Sequence, residues 1–70
     1  MTPTDFRATL QTLGWTIRGL ARVLGRSEGT VTNWTRPGYS VPADVAAWLH
    51  RRVEAHQRMM RDDPPPGAAP

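Results

Sequence analysis

The 70-residue sequence contains no cysteine and only two histidines. Without thiols the chain has neither a disulfide framework nor a thiolate metal site, and two histidines alone are too few ligands for zinc. His50 and His56 lie six positions apart, so they do not share one face of a helix as a ligand pair would. We therefore expect no metal, no redox chemistry and no cofactor.

Long apolar runs are also missing. No stretch approaches the roughly 20 apolar residues that a transmembrane helix needs, and the first residues lack the basic start and apolar run of a signal peptide. The sequence therefore predicts a cytoplasmic protein. Paired carboxylates, a nucleophile placed with a base and a glycine-rich phosphate loop are absent as well, so we expect no enzyme.

All nine basic residues are arginine, and lysine is absent. Six acidic residues leave a formal net charge of +3, but Asp62 and Asp63 lie near the C-terminus beside a run of prolines. Without those two, nine arginines face four carboxylates, a difference of +5. A small basic domain is the composition expected of a protein that binds a polyanion.

The first two helices are predicted from their caps and their apolar spacing. Thr2 is placed as the N-cap of a helix that ends at Gly14, and Thr16 as the N-cap of a helix over residues 17–24. Apolar residues recur three and four positions apart, as on the buried face of a helix: Phe6, Leu10, Leu13, Ile17, Leu20, Ala21 and Leu24.

Two further helices follow. Ser27 is placed as the N-cap of a third helix that begins at Glu28 and ends at residue 34 or 35, where Pro37 disfavours helical geometry. A fourth helix opens at Pro42 and is expected to reach Met60. Its apolar seam consists of Val45, Trp48, Leu49 and Val53.

The predicted fold is all-α, a compact bundle of four or five short helices within residues 1–61. Residues 62–70 are rich in proline and offer nothing to a core, so they predict a disordered tail. Gly25 ends the second helix and allows a tight turn into the third, so these two helices form a helix-turn-helix.

The stretch from Trp15 to Trp34 resembles the helix-turn-helix of the lambda-repressor and Cro-type (XRE-type) regulators. The residues that carry the resemblance are Thr16, Leu20-Ala21, Leu24-Gly25, Ser27, Thr30-Val31 and Trp34. Leu13-Gly14 and Val41-Pro42 extend it over most of residues 2–53. By its short length and layout the chain is also similar to small phage-borne autorepressors, including the regulators that accompany anti-CRISPR genes.

This resemblance implies a sequence-specific, double-stranded DNA-binding transcription regulator, a repressor that binds an inverted repeat as a homodimer. Three residues depart from the family pattern. Ile17 stands where the family has Gln that bridges a phosphate and the recognition helix, and Thr35 stands where Glu follows the Trp. Arg26 replaces an apolar residue in the turn, and we expect it to extend toward a phosphate.

Base contacts are predicted on the third helix, the one that enters the major groove in such proteins. Asn33 offers its amide to adenine, Thr32 contacts a base or a thymine methyl, and Glu28 accepts from cytosine N4. Glu28 has a structural explanation too, because a carboxylate in the first turn stabilises a helix. Gly29 costs the helix about 1 kcal/mol relative to Ala. Two explanations for glycine at this position are open: close approach of the backbone to a base or phosphate, and neutral drift.

Phosphate contacts are predicted at the starts of the second and third helices and in the loop that follows. The candidate residues are Thr16, Arg18, Arg26, Ser27, Thr30, Arg36 and Tyr39. Any one arginine of this set has the simpler explanation of a solvated surface residue. Their grouping around one helix is what favours DNA.

A dimer interface is predicted on the exposed side of the last helix, comprising Trp48, Arg51, Arg52 and Ala55. Trp48 has an alternative role, since it also completes a thin monomer core. Trp15 and Trp34 are predicted to be core residues rather than stacking platforms for bases. The alternative function is a protein interaction module, such as an antitoxin of a toxin–antitoxin pair.

Overall fold

A computed structural model describes residues 1–67 of the chain. Those residues form four α-helices and no strand. The helices are α1 (Pro3–Leu13), α2 (Ile17–Leu24), α3 (Glu28–Asn33) and α4 (Ala43–Asp62). The predicted all-α bundle is therefore confirmed.

The short helices begin at side-chain caps. The Thr2 hydroxyl accepts from the Asp5 amide at 3.0 Å, and the Asp5 carboxylate accepts from the Thr2 amide at 3.3 Å, which completes a capping box. Thr16 caps α2 by accepting from the Gly19 amide at 2.9 Å. Each cap contributes about 1 kcal/mol, so the helix starts are set by the local sequence.

Two glycines end α1 and α2 in the left-handed conformation. Gly14 has φ of 71° and Gly25 has φ of 67°, a region in which a Cβ is strained. After Gly25 the Arg26 amide donates to the Ala21 carbonyl at 2.9 Å, which closes the end of α2. The chain can therefore reverse direction within the turn to α3.

The core lies where the four helices meet. Ten apolar residues in the described part of the chain are buried: Phe6, Leu10, Leu20, Ala21, Val31, Trp34, Val41, Val45, Ala46 and Leu49. Six of them lie on the apolar faces predicted for the first, second and fourth helices, Trp34 is a predicted core residue, and Val31, Val41 and Ala46 complete the cluster. Phe6 packs edge-on against Trp34 with ring centroids 5.8 Å apart. The core prediction for Trp34 is confirmed.

α3 is shorter than predicted, because it ends at Asn33 rather than at residue 34 or 35. The Thr35 amide donates to the Thr32 carbonyl and the Arg36 amide to the Asn33 carbonyl, both at 3.0 Å. These bonds span three residues, as in a 3₁₀ turn, so the chain tightens before it leaves the helix.

α4 has 20 residues and runs two residues beyond the predicted end at Met60. Its buried residues all lie in its first two turns, and residues 57–62 are exposed. Residues 63–67 are not helical, and residues 68–70 of the predicted tail lie outside the described part of the chain. None of the four helices is long and apolar enough to cross a membrane.

Candidate nucleic-acid interface

The site is built on the pairing of α2 with α3. These helices pack directly on each other, and their buried residues Leu20, Ala21 and Val31 belong to one core cluster. The side of α3 that carries Val31 is buried against α2 and the core. The outer side of α3, which begins with the exposed Glu28, Gly29 and Thr30, is left open to solvent.

The start of α3 is closed by a pair of hydroxyls. The Ser27 hydroxyl accepts from the Thr30 amide at 3.1 Å, as predicted, and lies 2.9 Å from the Thr30 hydroxyl. One of the two hydroxyl protons is used between these side chains, so the other is free to donate outward. Ser27 and Thr30, both predicted phosphate contacts, therefore offer one free hydroxyl proton between them at the start of α3.

An ion pair joins α2 to α3 across the open face. Arg18 Nε lies 2.6 Å from Glu28 Oε1, with the two side chains 75% and 52% exposed. A pair this exposed contributes little to stability, about 0 to 1 kcal/mol. Its effect is on orientation, because Arg18 fixes the position of the Glu28 carboxylate. Glu28 is a predicted base contact and Arg18 a predicted phosphate contact. Helical spacing could not reveal a pair ten residues apart across a turn.

Arg18 follows Ile17, one of the residues that depart from the family pattern. The Ile17 side chain is half-buried and packs on the core, and because it is aliphatic it has no polar group to offer α3. The Arg18 guanidinium donates to the Glu28 carboxylate. Within residues 1–67, Arg18 therefore forms a polar side-chain link between α2 and α3, one position after Ile17.

The four predicted base contacts differ in exposure. Glu28 and Gly29 are exposed, whereas Thr32 and Asn33 are half-buried on the later turn of α3. A Cβ added at Gly29 would meet nothing closer than Ser27 Oγ at 4.0 Å. Packing within the chain therefore gives no reason for glycine at this position.

Gly19 has a different explanation. A Cβ at Gly19 would lie 3.1 Å from Thr16 Oγ1, the atom that caps α2. Glycine at this position lets the Thr16 hydroxyl approach the Gly19 amide closely. The sequence alone shows only that a capping-box partner is missing there.

The remaining phosphate candidates lie at the start of α2, in the turn before α3 and in the loop after it. The Arg26 guanidinium lies over the Trp34 ring, with Cζ 5.7 Å from the centroid, an arrangement that leaves its in-plane N–H groups available. Arg36 is exposed in the loop after α3, and Tyr39 is 50% exposed. The Thr16 hydroxyl accepts from a backbone amide and keeps its proton free to donate.

Arg7 contributes a contact that sequence reasoning missed. Its Nη2 donates to the Thr35 carbonyl at 2.7 Å, at the end of the turn that follows α3. This bond provides a donor for a carbonyl of the turn, two residues beyond the last residue of α3. α1 is thereby connected to the end of α3.

The predicted dimer residues lie on α4 away from α3. Trp48 is half-buried and packs on Trp15, with ring centroids 5.6 Å apart. The Arg52 guanidinium lies over the Trp48 ring at 5.2 Å. Arg51 is exposed and Ala55 is half-buried. Trp48 thus extends the monomer core while part of its surface stays open to solvent.

Comparison with known proteins adds no further information about the site. No family model, no curated protein and no solved structure matches the chain. The helix-turn-helix resemblance therefore depends on the residues named for it above.

Across residues 1–67, no group of three or more His, Cys, Asp or Glu side chains could hold a metal ion.

Proposed function

We propose that the chain is a sequence-specific, double-stranded DNA-binding transcription regulator, a repressor that binds an inverted repeat as a homodimer. The observation that carries the proposal is the exposed start of α3, residues 28–30, together with three exposed arginines: Arg18, which pairs with Glu28, Arg26 in the turn before α3 and Arg36 in the loop after it. The major groove of B-DNA, about 12 Å wide, admits one helix, and the backbone on either side attracts guanidinium groups.

Base reading is assigned to the polar groups of α3. Glu28 Oε1 is held by Arg18, so Oε2 is the oxygen that accepts from cytosine N4. Thr32 and Asn33 follow one turn later and contact the next bases, with the Asn33 amide suited to adenine. Gly29 lets the backbone approach the base edges, which accounts for a glycine that chain packing does not require.

Phosphate binding is assigned to the groups around α3. Arg18, Arg26 and Arg36 provide positive charge, and the hydroxyls of Thr16, Ser27 and Thr30 and the phenol of Tyr39 provide hydrogen-bond donors. These contacts fix the position of the protein on the duplex and carry no sequence information. Repression then requires only that the protein occupies a promoter.

The test is selection of duplexes from a random library, followed by fluorescence anisotropy with the enriched duplex and a scrambled one. We expect enrichment of an inverted repeat, tighter binding to it, and an affinity that falls steeply as salt increases. Equal affinity for both duplexes would remove sequence-specific reading. Absence of binding at low salt would remove DNA binding altogether.

A second candidate is a protein interaction module such as an antitoxin. The exposed end of α4 favours it, because Met59 and Met60 are 67% and 45% exposed there. Met59→Asp with Met60→Asp should abolish capture of a partner encoded by a neighbouring gene and leave DNA affinity unchanged. If the chain binds no duplex but does bind such a partner, this second function replaces the first.

A further inference from the structure

An open groove lies between α2 and α4, on a different face from the candidate DNA interface. Its volume is about 530 Å³, and its lining includes Val23, Trp48, Asp44 and Arg51. A smaller hollow of about 290 Å³ adjoins it on the other side of Val23 and is lined in part by Trp15. Val23 is 67% exposed and forms the ridge between the two depressions.

This groove can be covered while the candidate DNA interface stays open. At about 100° per residue, Val23 lies about 140° around α2 from Arg18, the residue that pairs with Glu28. The two residues therefore face different directions. A partner that covers Val23 and Trp48 leaves the Arg18–Glu28 pair accessible.

The charges along the groove identify the partner. Asp44 and Arg51 are both exposed, and neither belongs to an ion pair within residues 1–67. They lie seven positions apart on α4, about 10.5 Å along the axis, which is too far for them to pair with each other. Trp48 lies between them on the same side of the helix. Opposite charges on either side of an apolar centre are complementary to the same pattern after a two-fold rotation.

We propose that this groove binds a second copy of the chain, with the two α4 helices antiparallel and Asp44 of each copy facing the partner's Arg51. The two-fold axis passes beside Trp48, where the two apolar grooves cover each other. This inference rests on the proposed function for its need of a dimer. To the interface already predicted on α4 around Trp48 and Arg51 it adds the α2 side of the groove, the register and the charged pair, and it makes Asp44 and Val23 interface residues.

Charge reversal tests the register without DNA. In Asp44→Arg and in Arg51→Asp, each variant dimer places like charges opposite each other twice, so we expect the dissociation constant of either to rise about tenfold or more. In an equimolar mixture of the two variants, a heterodimer again places an arginine opposite an aspartate at both ends. Native mass spectrometry and sedimentation equilibrium of that mixture should therefore show a heterodimer with close to the wild-type affinity.

A matched control uses Glu54→Arg, which makes the same charge change as Asp44→Arg at an exposed α4 residue outside the groove lining. It should dimerise like the wild type. Far-UV circular dichroism checks that every variant is folded. If a charge-reversed chain is unfolded, Asp44→Asn and Arg51→Gln replace it, and each should dimerise more weakly than the wild type with less dependence on salt.

Three results would overturn the inference: a monomeric wild type at micromolar to millimolar concentration, charge-reversed variants that dimerise normally, or a mixture that forms no heterodimer. These measurements contain no DNA, so they separate the two proposals. Loss of specific DNA binding together with an intact charge-reversal pattern would remove the proposed function and leave the interface. A monomer that still reads one half-site would remove the interface and the homodimer, and would leave sequence-specific DNA binding in place.

Discussion

Among single residues, Arg18 has the most informative position because it touches the side chain that we assign to base reading. Replacing Arg18 by Met keeps the apolar stem and releases Glu28 from the 2.6 Å ion pair. We expect DNA affinity to fall and discrimination at the base read by Glu28 to weaken. Thermal stability should change little, by about 0.5 kcal/mol or less, since the pair is exposed.

Anisotropy with the selected duplex and with one substituted at the Glu28 position measures this effect, and Arg22→Met serves as the matched control. Arg22 is an exposed arginine on the same helix and forms no ion pair in the described residues. An equal loss of affinity for both duplexes would show that Arg18 is only a phosphate contact.

Gly29 gives a prediction in which stability and binding move in opposite directions. Gly29→Ala meets no atom closer than 4.0 Å and should stabilise the fold by up to about 1 kcal/mol. It should also weaken DNA binding, because in the proposed complex the added methyl group lies where the backbone approaches the bases. Gly19→Ala is the contrasting variant: its Cβ would lie 3.1 Å from Thr16 Oγ1, so we expect lower stability.

Thermal melts and anisotropy on these two glycine variants provide the measurement. Unchanged DNA affinity in a stabilised Gly29→Ala protein would favour neutral drift over close approach at that position.

Asn33 and Arg36 separate base reading from backbone binding. Asn33→Ala should cost roughly 1 to 3 kcal/mol of discrimination at one base position. Arg36→Ala should weaken binding to all duplexes alike and reduce the salt slope by about 1. Affinities for single-base variants of the selected duplex, measured at several salt concentrations, distinguish the two. The division of roles fails if both substitutions have the same effect.

At the scale of the helices, α3 depends strongly on its cap because it has only six residues. Ser27→Ala removes the acceptor of the Thr30 amide at 3.1 Å and should cost about 1 kcal/mol. In a domain of this size that corresponds to a fall of about 4–8 °C in Tm. Ser27→Asp should keep the cap and most of the stability.

The same two variants should rank differently in DNA binding. Ser27→Asp adds a negative charge where phosphate is expected, so its affinity should fall below that of Ser27→Ala although its fold is more stable. Melting curves and anisotropy test both parts. Ser27→Asp that binds DNA as well as the wild type would contradict the assignment of Ser27 to the phosphate contacts.

Sequence reasoning succeeded where the determinants of an element are local. The caps at Thr2, Thr16 and Ser27 and the glycine at the end of α2 each act within a few residues, and the structure has them as expected. The Arg18–Glu28 pair joins residues that only the α2–α3 turn brings together. No spacing rule along one helix could have predicted it.

The end of α3 and the role of Trp48 show the same limit. Helix propensity did not indicate that the chain tightens after Asn33, and the burial of Trp34 against Phe6 is a tertiary contact that no local rule describes. The stacking of Trp48 on Trp15 likewise depends on how the start of α2 meets α4. DNA binding by the α3 residues stays a prediction, because capping and propensity rules describe how a helix forms and not which molecule binds it.

For the whole molecule, the core is thin. Within residues 1–67, only Phe6, Leu20, Leu49 and Val31 are large side chains with less than 2% exposure. A domain of this size buries little more than half of its unfolded surface, roughly 60%, so covering the groove between α2 and α4 with a second copy should add stability. If folding and dimerisation are coupled in this way, Tm should rise with chain concentration.

Calorimetry over a hundredfold range of concentration measures that rise, and the Asp44→Arg variant should reduce it. A Tm that is the same at every concentration would show that the monomer accounts for the whole stability.

The placement of the three tryptophans gives the molecule two built-in optical reporters. Trp34 is buried against Phe6 and lies under Arg26, close to the proposed DNA interface, whereas Trp15 and Trp48 pack on each other beside the groove. Emission from the first should respond when the recognition surface is occupied, and emission from the other two when the groove is covered. Tryptophan-to-phenylalanine variants would separate the two signals, so both events could be followed by fluorescence without any attached dye.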